Sequence, residues 1–161
     1  MLTRMLLLVG ALAASAAAQN VISARAGFVN YKHGDVTLPV GRDGKTARQI
    51  EQGQVVSTRH GRLELLLTPG SFLRLDNESE ARLLSSRLHD VRVELLSGTA
   101  TVEINEILKG SALALVWREQ TIPLARTGLY RFEAGPDSLR VYVEKGKLQL
   151  AGLKGAVKSG K

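Results

Sequence analysis

The stretch Gln54–Leu75, QVVSTRHGRLELLLTPGSFLRL, contains two runs of alternating apolar and polar residues that are joined by a Pro-Gly turn. Alternate leucines give each run one apolar face: Leu63, Leu65 and Leu67 in the first run, Leu73 and Leu75 in the second. A period of two residues is typical of a half-buried β-strand. The stretch therefore predicts two strands that turn tightly at Pro69-Gly70-Ser71 and bury one face in a core.

The same alternation recurs along most of the chain and predicts an all-β fold. Further runs are Val91–Leu95, Ala100–Ile104, Ser111–Arg118, Thr121–Leu124, Leu129–Ala134, Leu139–Glu144 and Lys147–Leu150. Strands at this spacing, with turn residues between them, are typical of a sandwich, a barrel or a β-helix. We expect the chain to reverse at Gly53, Gly61, Gly70 and Gly98, because glycine permits turn conformations at no steric cost.

Two segments between these runs are less regular. Asn77–Leu88 fits either a short capped helix or another strand, and we favour the strand because its neighbours are strands. Gly41–Gln52 is polar and irregular, which predicts a loop. The interior is expected to contain Leu65, Leu67, Leu73, Leu75, Val93, Leu95, Val102 and Ile104.

The first 19 residues, MLTRMLLLVGALAASAAAQ, have one positive charge at Arg4, then an apolar run, then small residues up to Ala18. This order is typical of a secretory signal peptide. The alternative is a membrane anchor, but the apolar run is shorter than the ~20 residues that a spanning helix needs. We therefore predict a signal peptide at 1–18, one all-β domain at 19–152 and a flexible basic tail at 153–161. The protein is expected to be exported to the periplasm or cell envelope of a bacterium, with no transmembrane segment in the mature chain.

Composition narrows the classes of partner and of chemistry. The chain of 161 residues carries a net charge of +7 and no cysteine, so the core is expected to hold by packing without disulfides. The basic residues are scattered and the protein is exported, which argues for anionic envelope material and against nucleic acid. Arg62, Arg74, Arg82, Arg87 and Arg92 on one face would favour an anionic ligand, whereas evenly spread charge would favour a scaffold.

Catalytic and metal-binding patterns are weak. His33, His60 and His89 lie far apart without the ligand spacing of a zinc site, and no serine stands in a nucleophile elbow. We expect no enzyme activity, no metal and no cofactor. Trp117 and Tyr130 are candidates for stacking on a sugar, but both alternate in step with apolar neighbours and are interpreted as core residues.

The run from Gln52 to Leu75 resembles the FecR-like domain of bacterial envelope proteins. The positions that carry the resemblance are Gly53, Gln54, Thr58, Gly61, Gly70 and Ser71, together with Gly98 in the later run VRVELLSGTATVEI. The resemblance covers nearly all of the mature chain and is strongest from Gly53 to Ile104. It implies a twisted β-helix-like or solenoidal stack of short strands, with a jelly roll or sandwich as the alternative.

The resemblance also implies a non-catalytic module for binding, sensing or signalling outside the inner membrane. The family includes sigma-factor regulators, but this chain lacks their cytoplasmic anti-sigma segment and spanning helix. We therefore expect a free exported module whose partner is an envelope protein or an anionic polysaccharide. A structural spacer or fragment of a longer envelope protein is the alternative, and a small hydrolase is a third. The outward residues Arg59, His60, Arg62 and Arg74 form a candidate contact surface.

Overall fold

A computed structural model of the chain describes residues 25–149 and 157–159. These residues contain ten β-strands and no helix, which confirms the all-β prediction. The strands are β1 Phe28–Thr37, β2 Val55–Thr68, β3 Ser71–Leu75, β4 Ser79–Arg87, β5 Asp90–Ile104, β6 Leu113–Trp117, β7 Gln120–Pro123, β8 Gly128–Ala134, β9 Leu139–Lys145 and β10 Val157–Ser159. In this part of the chain no helix is long and apolar enough to cross a membrane.

The described residues include part of the predicted C-terminal tail and none of the predicted signal peptide. The predicted signal peptide at 1–18 lies outside the described residues. Of the predicted tail at 153–161, only Val157–Ser159 are described, and they pair in parallel with β9.

Most predicted strands are present, but two expected reversals are wrong. Asn77–Leu88 contains β4, as we favoured, and Gly41–Gln52 is free of extended strands. Gly70 does turn the chain, between β2 and β3. Gly61 and Gly98, however, lie inside the continuous strands β2 and β5, so the chain does not reverse at either glycine.

The long strands β2 and β5 each run through two sets of neighbours. β2 pairs with β4 through Val55–Thr58 and with β3 through Leu63–Thr68, while β1 follows its other edge. β5 pairs with β4 and β6 in its first half and with β3 and β8 in its second half. β7 continues the first half beyond β6, and β9 and β10 continue the second half beyond β8.

The sheet bends where these two halves meet. Register shifts interrupt the β1–β2 and β4–β5 ladders there, and the buried positions of β5 change from odd to even residue numbers between Leu95 and Ala100. Residues from both halves form one hydrophobic core. Because the described part of the chain has no helix to cover that core, the two halves of the sheet cover each other as two layers.

The strand pairing bears on the expected β-helix. Nearly all pairs are antiparallel, and β5–β6 and β9–β10 are the parallel pairs among the described strands. A parallel β-helix would stack its rungs in parallel along the chain. The solenoidal stack is therefore not confirmed, and the observed bent sheet is the arrangement that positions the surfaces described below.

The core contains the predicted interior side chains. All eight are at most 3% exposed, and Trp117 and Tyr130 are 2% and 0% exposed, so both aromatic residues are core residues as predicted. Burying one such aliphatic side chain contributes about 1.5–3 kcal/mol. The alternation read from Gln54–Leu75 thus describes the real inward face of β2 and β3.

Candidate functional site

A row of buried polar groups crosses the sheet at its bend, which we call the corner. Thr58 Oγ1 lies 2.5 Å from the carbonyl oxygen of Asp76, to which it donates, and accepts from the amide of Ser79 at 3.1 Å. Ser79 Oγ accepts from the amide of Thr99 at 2.8 Å. These bonds satisfy backbone groups that the interrupted ladders leave without strand partners. Thr58 is 4% exposed, and its hydroxyl joins backbone groups of the corner.

The glycines of the corner allow close approach between strands. A Cβ atom on Gly98 would lie 2.4 Å from the carbonyl oxygen of Glu78 and 2.5 Å from Ser79 Oγ. A Cβ atom on Gly61 would lie 2.6 Å from the carbonyl oxygen of His33. The resemblance placed Gly61 and Gly98 at turns, whereas the structure uses them where two strands touch.

The remaining motif positions lie elsewhere. Gly70 lies in the β2–β3 connection, and Ser71 is the first residue of β3. Gly53 and Gln54 lie at the turn that leads into β2, where Gln54 Oε1 accepts from the amide of Glu51 at 2.8 Å and the amide of Gln54 donates to the Glu51 carbonyl at 3.1 Å. The seven motif residues thus lie in three separate parts of the fold. Of these residues, Thr58, Gly61 and Gly98 lie along the corner.

The predicted contact surface is exposed, but part of its charge is neutralised. Arg59, His60, Arg62 and Arg74 are all solvent-exposed. Arg62 lies 3.6 Å from a carboxylate oxygen of Asp76. Arg74 lies 2.6 Å from carboxylate oxygens of both Glu64 and Glu103. The hydrogen bond from Arg74 is the main reason that the pKa of Glu103 lies below its usual value.

Ion pairs also neutralise the outer arginines of the other half of the sheet. Arg82 lies 3.3 Å from Glu94, and Arg92 lies 2.9 Å from Asp90. Four of the five arginines proposed as a basic patch thus have a carboxylate partner. The fifth, Arg87, forms no ion pair within the described residues.

Arg87 lines a cavity of about 370 Å³ together with Arg25 and Arg42. All three arginines are exposed, and in the described part of the chain none of them has an ion-pair partner. We call this cavity the arginine pocket. Its other polar lining comes from Gln49, Glu51, Gln52 and Ser86, and the buried Ile50 also lines it.

Three segments that are distant in sequence build the arginine pocket. Arg25 pairs with Arg87 across an isolated antiparallel bridge, which the 3.0 Å bond from the amide of Ala26 to the Ser86 carbonyl accompanies. Arg42 is held in a small loop closed by the Val40–Thr46 bridge. Sequence reasoning named Arg87 but missed Arg25 and Arg42, since no local spacing connects residues that only the fold brings together.

A second cleft of about 280 Å³ lies beside Trp117. The guanidinium carbon of Arg118 lies 4.7 Å from the centre of the Trp117 ring, and Arg118 also donates to the carbonyl of Pro136. The chain's own arginine therefore covers the indole face that a sugar would need for stacking.

Neither of these two clefts, as the described residues line them, contains a histidine. Among residues 25–149 and 157–159, no group of three or more His, Asp or Glu side chains is placed to hold a metal ion. Comparison of the chain with family models, with curated proteins and with solved structures finds no match.

Proposed function

We propose that this protein is an exported, non-catalytic FecR-like module of the bacterial envelope that binds an anionic polysaccharide. The arginine pocket is the observation that carries this proposal. The FecR-like assignment is supported by the sequence resemblance, and the export by the pattern of residues 1–18.

The contrast between paired and unpaired arginines supports an anionic ligand. Several outer arginines of both halves of the sheet, Arg74, Arg82 and Arg92, lie beside carboxylates that neutralise their charge. Arg25, Arg42 and Arg87 converge on one cavity without such partners. Guanidinium groups bind carboxylate and phosphate oxygens through paired hydrogen bonds, and positive clefts raise the local concentration of anions.

Binding to an immobilised polyuronate tests the proposal, with neutral dextran as the control polymer. We expect the wild-type protein to bind the polyuronate and to release it as salt rises, since exposed charges are screened. The variant R25A/R42A/R87A should lose most of this binding. The matched control R59A/R62A/R140A removes the same charge from the outer surface and should keep it. Equal losses in both triple variants would show that overall charge, or the predicted outer surface, does the binding.

A protein partner is the second candidate. β1 ends the strand order of the sheet, and eight of its ten residues are exposed. Such an edge can accept an extended segment of another protein as an additional strand. This candidate predicts that the partner remains bound at high salt and that the variant R25A/R42A/R87A still binds it.

The structural-spacer alternative predicts no binding, because a spacer needs no ligand. The ion pairs across the outer faces, such as that of Arg74 with Glu64, suit a solvated surface. A wild-type protein that binds neither polyuronate nor any envelope protein would favour the spacer. The hydrolase alternative gains no support from a metal site, since no group of metal-binding side chains is present in the described residues.

A further inference from the structure

We infer that the arginine pocket holds one anionic sugar residue, with its oxyanion on the arginines and its hydroxyls on the neighbouring amide, hydroxyl and carboxylate groups. This inference rests on the proposed function, because the same pocket would hold one residue of the polysaccharide. The shared chemistry is a sugar that carries a carboxylate or a phosphate.

The oxyanion position follows from an unfavourable pair of charges. Arg25 and Arg87 are directly opposite each other across an antiparallel bridge. Like charges in this position repel, because cross-strand side chains are close neighbours. Asp90 is paired with Arg87 in the β4–β5 hairpin, but its carboxylate is held by Arg92 through contacts of 2.9 and 3.0 Å. A bound oxyanion would relieve this repulsion, since no described carboxylate lies within ion-pair distance of Arg25 or Arg87.

The hydroxyl positions follow from the other polar groups in the pocket. Gln49 donates to the carbonyl of Ala26 at 3.4 Å, which leaves its amide oxygen as an acceptor. The side chains of Gln52 and Ser86 make no hydrogen bond within the described residues, and the carboxylate of Glu51 makes no ion pair there. A simple anion accepts hydrogen bonds and therefore forms none with the carboxylate of Glu51, which is also an acceptor. A sugar hydroxyl both donates and accepts, so it uses donors and acceptors together.

Size and rigidity agree with a single sugar ring. The volume of about 370 Å³ is near the lower end of the range for small-molecule pockets, roughly 300–1,000 Å³. Ile50, which is 1% exposed, adds an apolar group to the lining. The turn that carries Glu51 and Gln52 is closed from both sides by Gln54, which limits the ordering that a ligand would have to impose.

Titration by NMR of the isotopically labelled full chain provides the test, with four probes. Glucuronate and glucose 6-phosphate carry both a sugar and an oxyanion, glucose lacks the oxyanion, and inorganic phosphate lacks the sugar. We expect at least one charged sugar to bind about tenfold more tightly than both glucose and inorganic phosphate. The shifted amides should include those of Glu51, Gln52 and Arg87. Which charged sugar binds identifies the oxyanion as a carboxylate or a phosphate.

Two substitutions test the oxyanion-binding and the hydroxyl-binding parts of the pocket separately. Ser86→Ala should weaken binding of the charged sugar about fivefold and leave binding of inorganic phosphate unchanged, because it removes one neutral hydrogen bond. Arg42→Ala should weaken the binding of both probes. Ser97→Ala, in the second cleft, is the matched control and should change neither.

Two results would overturn the inference. Inorganic phosphate that binds as tightly as the charged sugars would show a simple anion site. Charged sugars that fail to bind, while polyuronate binding still depends on Arg25, Arg42 and Arg87, would refute the sugar pocket and leave the proposed function standing. If the wild-type protein also fails to bind polyuronate, the proposed function is refuted together with the inference.

Discussion

Replacing Gly98 by alanine tests whether the corner depends on close contact between strands. Gly98 has φ of +81°, and a Cβ atom there would overlap the backbone of Glu78 and Ser79 at 2.4–2.6 Å. Gly110 provides the matched control, since its φ is +80° and a Cβ atom there would meet nothing within 4 Å. Both substitutions impose the same backbone strain, and only Gly98→Ala also creates an overlap.

The expected difference follows from three contributions. A left-handed conformation costs a residue other than glycine roughly 1–2 kcal/mol, which applies to both variants. Relief of the overlap moves β4 and costs about 1–3 kcal/mol as overpacking. The same movement disturbs the 2.8 Å bond from the Thr99 amide to Ser79 Oγ, and an unsatisfied buried amide costs about 1–3 kcal/mol. We expect a loss of about 3–8 kcal/mol for Gly98→Ala and about 1–2 kcal/mol for Gly110→Ala.

Urea unfolding followed by tryptophan fluorescence measures both losses. Trp117 is the only tryptophan of the chain and is 2% exposed, so its emission reports the loss of the core. Many domains of this size are stable by only about 5–15 kcal/mol, so the larger loss should lower the midpoint markedly. Equal losses in the two variants would refute the close-contact role and would leave backbone strain as the whole effect.

Three further substitutions test side chains outside the corner. Tyr130→Phe removes a buried hydroxyl that donates to a backbone carbonyl at 2.9 Å, so it should cost about 1–3 kcal/mol in urea unfolding at neutral pH. Burial raises the pKa of Tyr130, so this advantage of the wild type should shrink as pH rises above the ordinary tyrosine value of about 10. Glu103→Gln should cost less than about 1 kcal/mol at neutral pH, and the difference should vanish as acid protonates Glu103 below its ordinary pKa, which Arg74 lowers. Arg87→Gln should stabilise the free chain by up to about 1 kcal/mol, because it removes the charge opposite Arg25 without placing a second acid opposite Asp90, and it should weaken polyuronate binding.

The sequence predicted those features that depend on local alternation. The leucines of Gln54–Leu75 alternate with polar residues, and the core takes them on the expected face. The strand over Asn77–Leu88 was favoured because its neighbours are strands, and it is present as β4. These features could be predicted because a period of two residues indicates a half-buried strand whatever its partner strands are.

Features that depend on contacts between distant residues were not predicted. Gly98 was expected at a turn, because a glycine after a serine between two strands is an ordinary turn signal. Its neighbour across the corner is Ser79, and nothing in the local sequence indicates this approach. The convergence of Arg25, Arg42 and Arg87 likewise depends on a bridge and a loop that alternation does not encode.

Strand register explains both the ion pairs of the sheet and the like-charge pair of Arg25 and Arg87. It places Glu64 opposite Arg74 and Glu94 opposite Arg82, and both pairs form ion contacts. The isolated bridge instead places Arg25 opposite Arg87. Because register is set by the burial of alternate side chains, the chain cannot slip by one residue to separate these two charges without exposing its core. The repulsion is therefore built into the fold, and a chain that keeps a destabilising contact of this kind commonly does so at a functional site. If Arg87→Gln raised stability and left polyuronate binding intact, the like-charge pair would have no role in binding, and the arginine pocket would lose its main physical argument.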